Sequence, residues 1–98
     1  MSEILKGAQG FEWDERNSDK NEPKHGVTDR EAEEIFFNKA LIIGRSPKGK
    51  PEVRYAALGQ TYGSRLIAVV FTIRSKRIRV ISARPMSRKE RKLYEEES

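Results

Sequence analysis

The sequence predicts an α+β domain in which an antiparallel sheet of about four strands carries two N-terminal helices and one C-terminal helix. Three observations predict it. Apolar residues repeat at helical spacing between Ala32 and Phe36, whereas four runs beyond Asn38 have strand character. The connections between those runs are short enough for antiparallel pairing. Two capping-box patterns, Thr28 with Glu31 and Ser87 with Glu90, mark helix starts on either side of the strands.

Residues 1–10 lack periodicity and end in glycine, so they read as a flexible leader ahead of a single domain over 11–98. Phe11-Glu12-Trp13 alternates and fits a short edge strand. Asp14 is a suitable N-cap for a first helix over 15–21, which Pro23 prevents from continuing. Lys24, His25, Gly26 and Val27 then form a turn before a second helix over 29–37, whose face of Ala32, Ile35 and Phe36 is buried and whose outer face is acidic.

Strands are expected at 40–43, 53–58, 65–73 and 77–83. The run Leu66 to Phe71 is apolar on both faces, which suits the central strand. In the last strand Arg77, Arg79 and Ile81 share one face, with Ile78 and Val80 on the other. Pro85 closes it, and a third helix over 88–96 is basic at Arg88, Lys89, Arg91 and Lys92 and apolar only at Leu93 and Tyr94.

A chain of 98 residues buries roughly 60–65% of the surface its unfolded form exposes, so its core is thin. With 36% charged residues against 36% hydrophobic, much of its surface is ionic. The absence of cysteine excludes disulfides and thiolate metal sites and fits a reducing cytoplasm. No apolar run approaches the ~20 residues of a membrane span, and the N-terminus lacks the layout of a signal peptide. A soluble, cytoplasmic protein with no membrane contact is expected.

The net charge of +5 conceals an asymmetry: residues 1–37 sum to −5 and residues 38–98 to +10. Charge segregated in this way attracts polyanions through counterion release, which makes nucleic acid the first partner to consider. Between Arg74 and Lys92 nine Lys/Arg accompany a single acid, Glu90. These bases span a strand, a turn and a helix, a density that favours phosphate groups.

Metal-free RNA cleavage needs a base for the 2′-hydroxyl proton, an acid for the leaving 5′-oxygen and cations on the phosphate. His25 is the only histidine and can fill one proton-transfer role, with Lys24 beside it to offset developing charge. Arginine suits the phosphate because its planar fork matches two oxygens. Arg74, Arg79 and Arg84 are candidates by position. Glu90 and Tyr94 are candidate second proton carriers, with Glu90 also placed to cap its own helix. Tyr55, Tyr62 and Tyr94 are open to stacking on bases.

One histidine, no cysteine and no acidic cluster in the basic half leave no metal-ligand set, and no cofactor is expected. The stretch from Gly44 to Lys50 lacks the spacing of a phosphate-binding glycine loop.

The motif F-E-W-D at 11–14, Asn21, K-H-G-V at 24–27, Ala32, Phe36, R-I-R-V-I-S-A-R at 77–84, Glu90 and Tyr94 resemble the BrnT toxins over about residues 11–95. The resemblance implies a RelE-like fold and RNA cleavage that arrests translation. It implies a BrnA-like ribbon-helix-helix antitoxin as partner, a toxin homodimer within a heterotetramer, and contact with operator DNA only through the antitoxin. It also implies Lys24, His25, Arg79, Arg84 and Glu90 as functional positions, while Arg74, Arg77, Arg88 and Tyr94 are expected as RNA contacts from their place in or next to the basic run. Asn17 stands where relatives usually carry lysine, Pro23 replaces a helix-compatible residue, and Met86 replaces a common alanine. The alternative reading is a non-catalytic module that binds nucleic acid, or only the antitoxin, and acts as a transcriptional co-repressor.

Overall fold

The computed structural model describes residues 8–46 and 52–97. Its elements run α1 (Asn21–His25), α2 (Asp29–Phe37), β1 (Leu41–Ser46), β2 (Arg54–Gln60), β3 (Leu66–Arg74), β4 (Arg77–Pro85) and α3 (Arg88–Glu97). The strands form one antiparallel sheet in the order β1-β2-β3-β4. The doubly apolar run is the interior strand β3, as its sequence predicts.

The first helix is displaced from its expected place. Asp14 does receive the Arg16 N–H on its side chain, but residues 15–19 form turns, and the helix begins only at Asn21. Asp19, with φ +57°, separates turn from helix. Pro23 therefore falls in the first turn of α1, where no intrahelical N–H is required, and starts the helix instead of ending it. His25 is its last residue and not part of a free turn. Gly26, with φ +69°, supplies the left-handed C-cap. Helix α2 follows the sequence closely, and both halves of the Thr28/Glu31 capping box form.

The main core lies between α2 and one face of the sheet, where Val27, Ala32 and Ile35 meet Ala57, Ile67, Val69, Phe71, Ile78, Val80 and Ala83. Gly59 lets α2 approach β2 closely: a Cβ built there would sit 2.5 Å from the Ile35 Cβ. A second cluster on the other face joins Met86 and Tyr94 to Leu58 and Ala68, so α3 covers one corner of that face. The sheet is thus packed on one side by α2 and locally on the other by α3, while Asn21 ties α1 to β4.

The motif at 11–14 divides its side chains between both faces. Phe11 bridges in parallel to Ile78, and its ring stacks edge-on against Phe36 and Phe37. Trp13 Nε1 donates to Glu33 on α2 at 2.6 Å. The described part of the expected leader belongs to the domain: the Gln9 N–H donates to the Lys76 carbonyl, the Gly10 carbonyl accepts from Ile78, and Ala8 packs on the core. Asn17 is buried, its amide bonding the carbonyls of Glu12 and Val80, a role that needs a short polar side chain.

Candidate nucleic-acid interface

Register and pleat assign the basic residues of β3 and β4 to the face opposite the main core. Thr72 pairs with Arg79, Arg74 with Arg77 and Ala68 with Arg84, all out of phase with the core residues Phe71 and Val80. The expected alternation of Arg77 and Arg79 against Ile78 and Val80 holds. Ile81 departs from it, because the register shifts after Phe71 pairs with Val80 and Val70 with Ser82, which bulges β4 at residue 81. Ser82 and Arg84 consequently regain the face of Arg79.

Carboxylates from elsewhere in the chain occupy most of these arginines. Arg79 Nη1 donates to Glu12 at 3.0 Å and to Asp14 at 2.9 Å, and Nη2 donates to Asp14 at 3.0 Å. Only 7% of its side chain is exposed. The Arg79 guanidinium holds the Asp14 carboxyl down to about 2, and the same bonds raise the pKa of Arg79. Arg74 is bound to Glu52 and lies 3.6 Å from Glu12. Arg84 makes a two-pronged pair with Glu90 at 2.7 and 2.8 Å.

Glu90 does double work, since its carboxylate also accepts the Ser87 N–H while its own N–H donates to the Ser87 hydroxyl, which completes the expected capping box of α3. The Arg84 hydrogen bonds, against partial burial, hold Glu90 at about 2. It is an anion throughout the neutral range and not a proton donor there. Tyr94 is buried, and its hydroxyl donates to the Lys39 carbonyl at 3.0 Å. This arrangement corrects its expected place against RNA: the ring is the keel of α3, and burial raises the pKa of its hydroxyl. Tyr55 is likewise half-buried against Phe71, whereas Tyr62 is exposed.

Arg79 and Arg84 share a face but not a location, being separated by on the order of 15 Å of strand. One phosphate cannot bridge them. The end of the sheet that holds Arg84 is also the end to which α1 is tied: Asn21 Oδ1 accepts the Ala83 N–H at 3.1 Å, and the Gly26 carbonyl accepts from Arg65, just ahead of β3, at 2.8 Å. Lys24 and His25 are exposed on this helix. Arg77 and Arg88 are exposed with no ion pair among the described residues.

The residues 13–90 match the family model described as the ribonuclease toxin, BrnT, of type II toxin-antitoxin systems. The chain belongs to the BrnT family. It is similar to the crystal structure of the Brucella abortus ribonuclease toxin BrnT, with 28% identity and a TM-score of 0.60 over 82% of this chain and 99% of that one. No protein among the curated sequences matches it. BrnT membership makes this chain a ribonuclease toxin with an antitoxin partner.

Among the described residues no group of His, Cys, Asp or Glu is placed to hold a metal ion, and no helix is long and apolar enough to cross a membrane. The sequence pattern did not point to Arg54, Thr72 and Ser82 on the same sheet face as the basic residues, nor to Glu12, Asp14 and Glu52 as partners of its arginines. Glu12 and Asp14 carried a usable signal, because residues two apart on an extended segment point the same way.

Proposed function

We propose that this BrnT-family toxin cleaves RNA without a metal at the Arg84 end of β4, on the sheet face opposite α2. The observation that carries this reading is that Asn21 ties α1, with its exposed Lys24 and His25, to Ala83 of β4, the residue before the Arg84 that Glu90 holds.

The 2′-hydroxyl oxygen attacks the adjacent phosphorus and the bond to the 5′-oxygen breaks, leaving a 2′,3′-cyclic phosphate and a free 5′-hydroxyl. His25 accepts the 2′-hydroxyl proton, Arg84 holds the non-bridging oxygens, and Lys24 offsets their developing charge. The 5′-oxygen takes its proton from solvent. Glu90 positions Arg84 and moves no proton. Arg77 and Arg88 bind flanking phosphates, while Arg79 and Arg74 fasten the N-terminal segment and the residues ahead of β2 to the sheet.

The partner is a ribbon-helix-helix antitoxin of the BrnA kind in a complex of two toxins and two antitoxins, with operator DNA contacted through the antitoxin. Cleavage of purified RNA in excess chelator, compared with folded His25→Ala and Arg84→Ala proteins, tests the enzyme. The parent cuts and both variants lose at least tenfold in rate. Loss of parental cleavage in chelator, restored by a divalent ion, contradicts the metal-free mechanism.

The carboxylates on Arg74, Arg79 and Arg84 favour a second reading, a non-catalytic partner of the antitoxin. It predicts intact RNA under every condition, together with operator binding that needs both proteins.

A further inference from the structure

Arg54 opens β2, and its neighbour Tyr55 packs on Phe71 in the main core, so the pleat turns Arg54 to the opposite face beside Thr72. Its Nε is buried and has no hydrogen-bond partner. The neighbouring Thr72 hydroxyl donates to the Val53 carbonyl at 2.6 Å and accepts no bond from this Nε. Arg54 also has no carboxylate within ion-pair distance among the described residues, unlike Arg74, Arg79 and Arg84. The adjoining Ala56, Val70 and Ser82 are half-buried, beyond the corner that α3 covers.

A desolvated guanidinium donor with no acceptor weakens the free fold, whereas an anion arriving on this face would pair with the accessible part of the guanidinium and draw the side chain outward, releasing Nε from burial. We propose that Arg54 is a phosphate-binding residue for RNA on this face, level with Arg79 and on the order of 15 Å along the strands from the Arg84 end of β4. The proposal rests on the functional reading above. It predicts a side chain that lowers the stability of the free protein and raises its affinity for RNA, a pairing that a packing role does not produce.

The test uses the full chain and a 2′-O-methyl RNA that cannot be cleaved, with binding measured from low to moderate salt and melting measured without RNA. Arg54→Met, which keeps the stem and removes the unsatisfied donor, should melt at or above the parental temperature. It should bind about tenfold more weakly, and the slope of log affinity against log salt should flatten by about 0.7, the value for one phosphate on a single strand. Arg54→Lys, which keeps the charge without Nε, should retain the salt slope and lose part of the affinity.

Parental affinity and slope in Arg54→Met, with parental RNA cleavage intact, overturn the role of Arg54 alone. A parent that neither binds this RNA nor cleaves its unmodified counterpart overturns the functional reading as well. Should Arg54→Met fail to fold, a parental affinity in Arg54→Lys overturns the donor role.

Discussion

At one end of β4 the Arg79 guanidinium is enclosed by Glu12 and Asp14, and at the other the Arg84 guanidinium is held by one carboxylate and left 43% exposed. Both sit on the same face of one strand, and both belong to the same basic run in the sequence. The difference is the origin and number of the acids. Arg79 meets two carboxylates from the segment that pairs alongside β4, so its bonds fasten that segment to the sheet. Arg84 meets Glu90 from the following helix, so its bonds orient a cation that remains within reach of solvent. Charge density along a chain therefore states how many cations are present, and partner carboxylates state how many are free.

The comparison breaks most directly with Arg79→Ala. Losing the packed stem and three charge-assisted bonds should destabilise the fold by roughly 2–3 kcal/mol, measured as a drop in urea midpoint. That value lies below the cost of opening a fully buried pair because the freed carboxylates can rehydrate. Arg84→Ala should shift stability by less than about 1 kcal/mol, as exposed pairs do. Its cleavage should fall 10–100-fold, or about 1.4–2.7 kcal/mol in the barrier. Equal stability losses in the two variants would erase the distinction.

A smaller effect is expected in the turn that joins β3 and β4, where Ser75 and Lys76 both hold positive φ, +52° and +63°. Lys76→Gly should stabilise the protein by about 1 kcal/mol, since glycine enters the left-handed region without steric penalty. It leaves both ends of β4 as they are, which makes it a control for general changes in sheet stability.

The smallest effect is in pH. Asp14 and Glu90 both have folded values near 2, below the ordinary carboxylate range. Their stabilisation is complete above about pH 4.5 and is lost as pH falls towards 2. Glu90→Gln should be less stable than the parent at pH 6, and the gap should narrow by pH 3. A gap independent of pH would show that Glu90 contributes through its cap alone.

Most of the fold was legible because hydrophobic periodicity and capping boxes are local. The acidic amphipathic α2, the interior β3 and the Ser87 start of α3 each follow from neighbouring residues. Helix α1 was misplaced because Pro23 has opposite meanings in the first turn and in the interior, and only the Asn21 bond to β4 fixes which applies. The site was less legible. The basic face and the candidacy of Arg84 follow from the sequence, but the pairing of Arg79 with Glu12 and Asp14 spans more than 60 residues. The burial of Tyr94 and the isolation of Arg54 depend on contacts no local pattern encodes.

The most direct test of where the toxin works is an amide chemical-shift map of the protein titrated with 2′-O-methyl RNA. The account predicts the largest changes at Ala56, Val70, Ser82 and Arg84, with smaller ones at Lys24 and His25. Changes confined to the outer face of α2, with these positions unmoved, would contradict it.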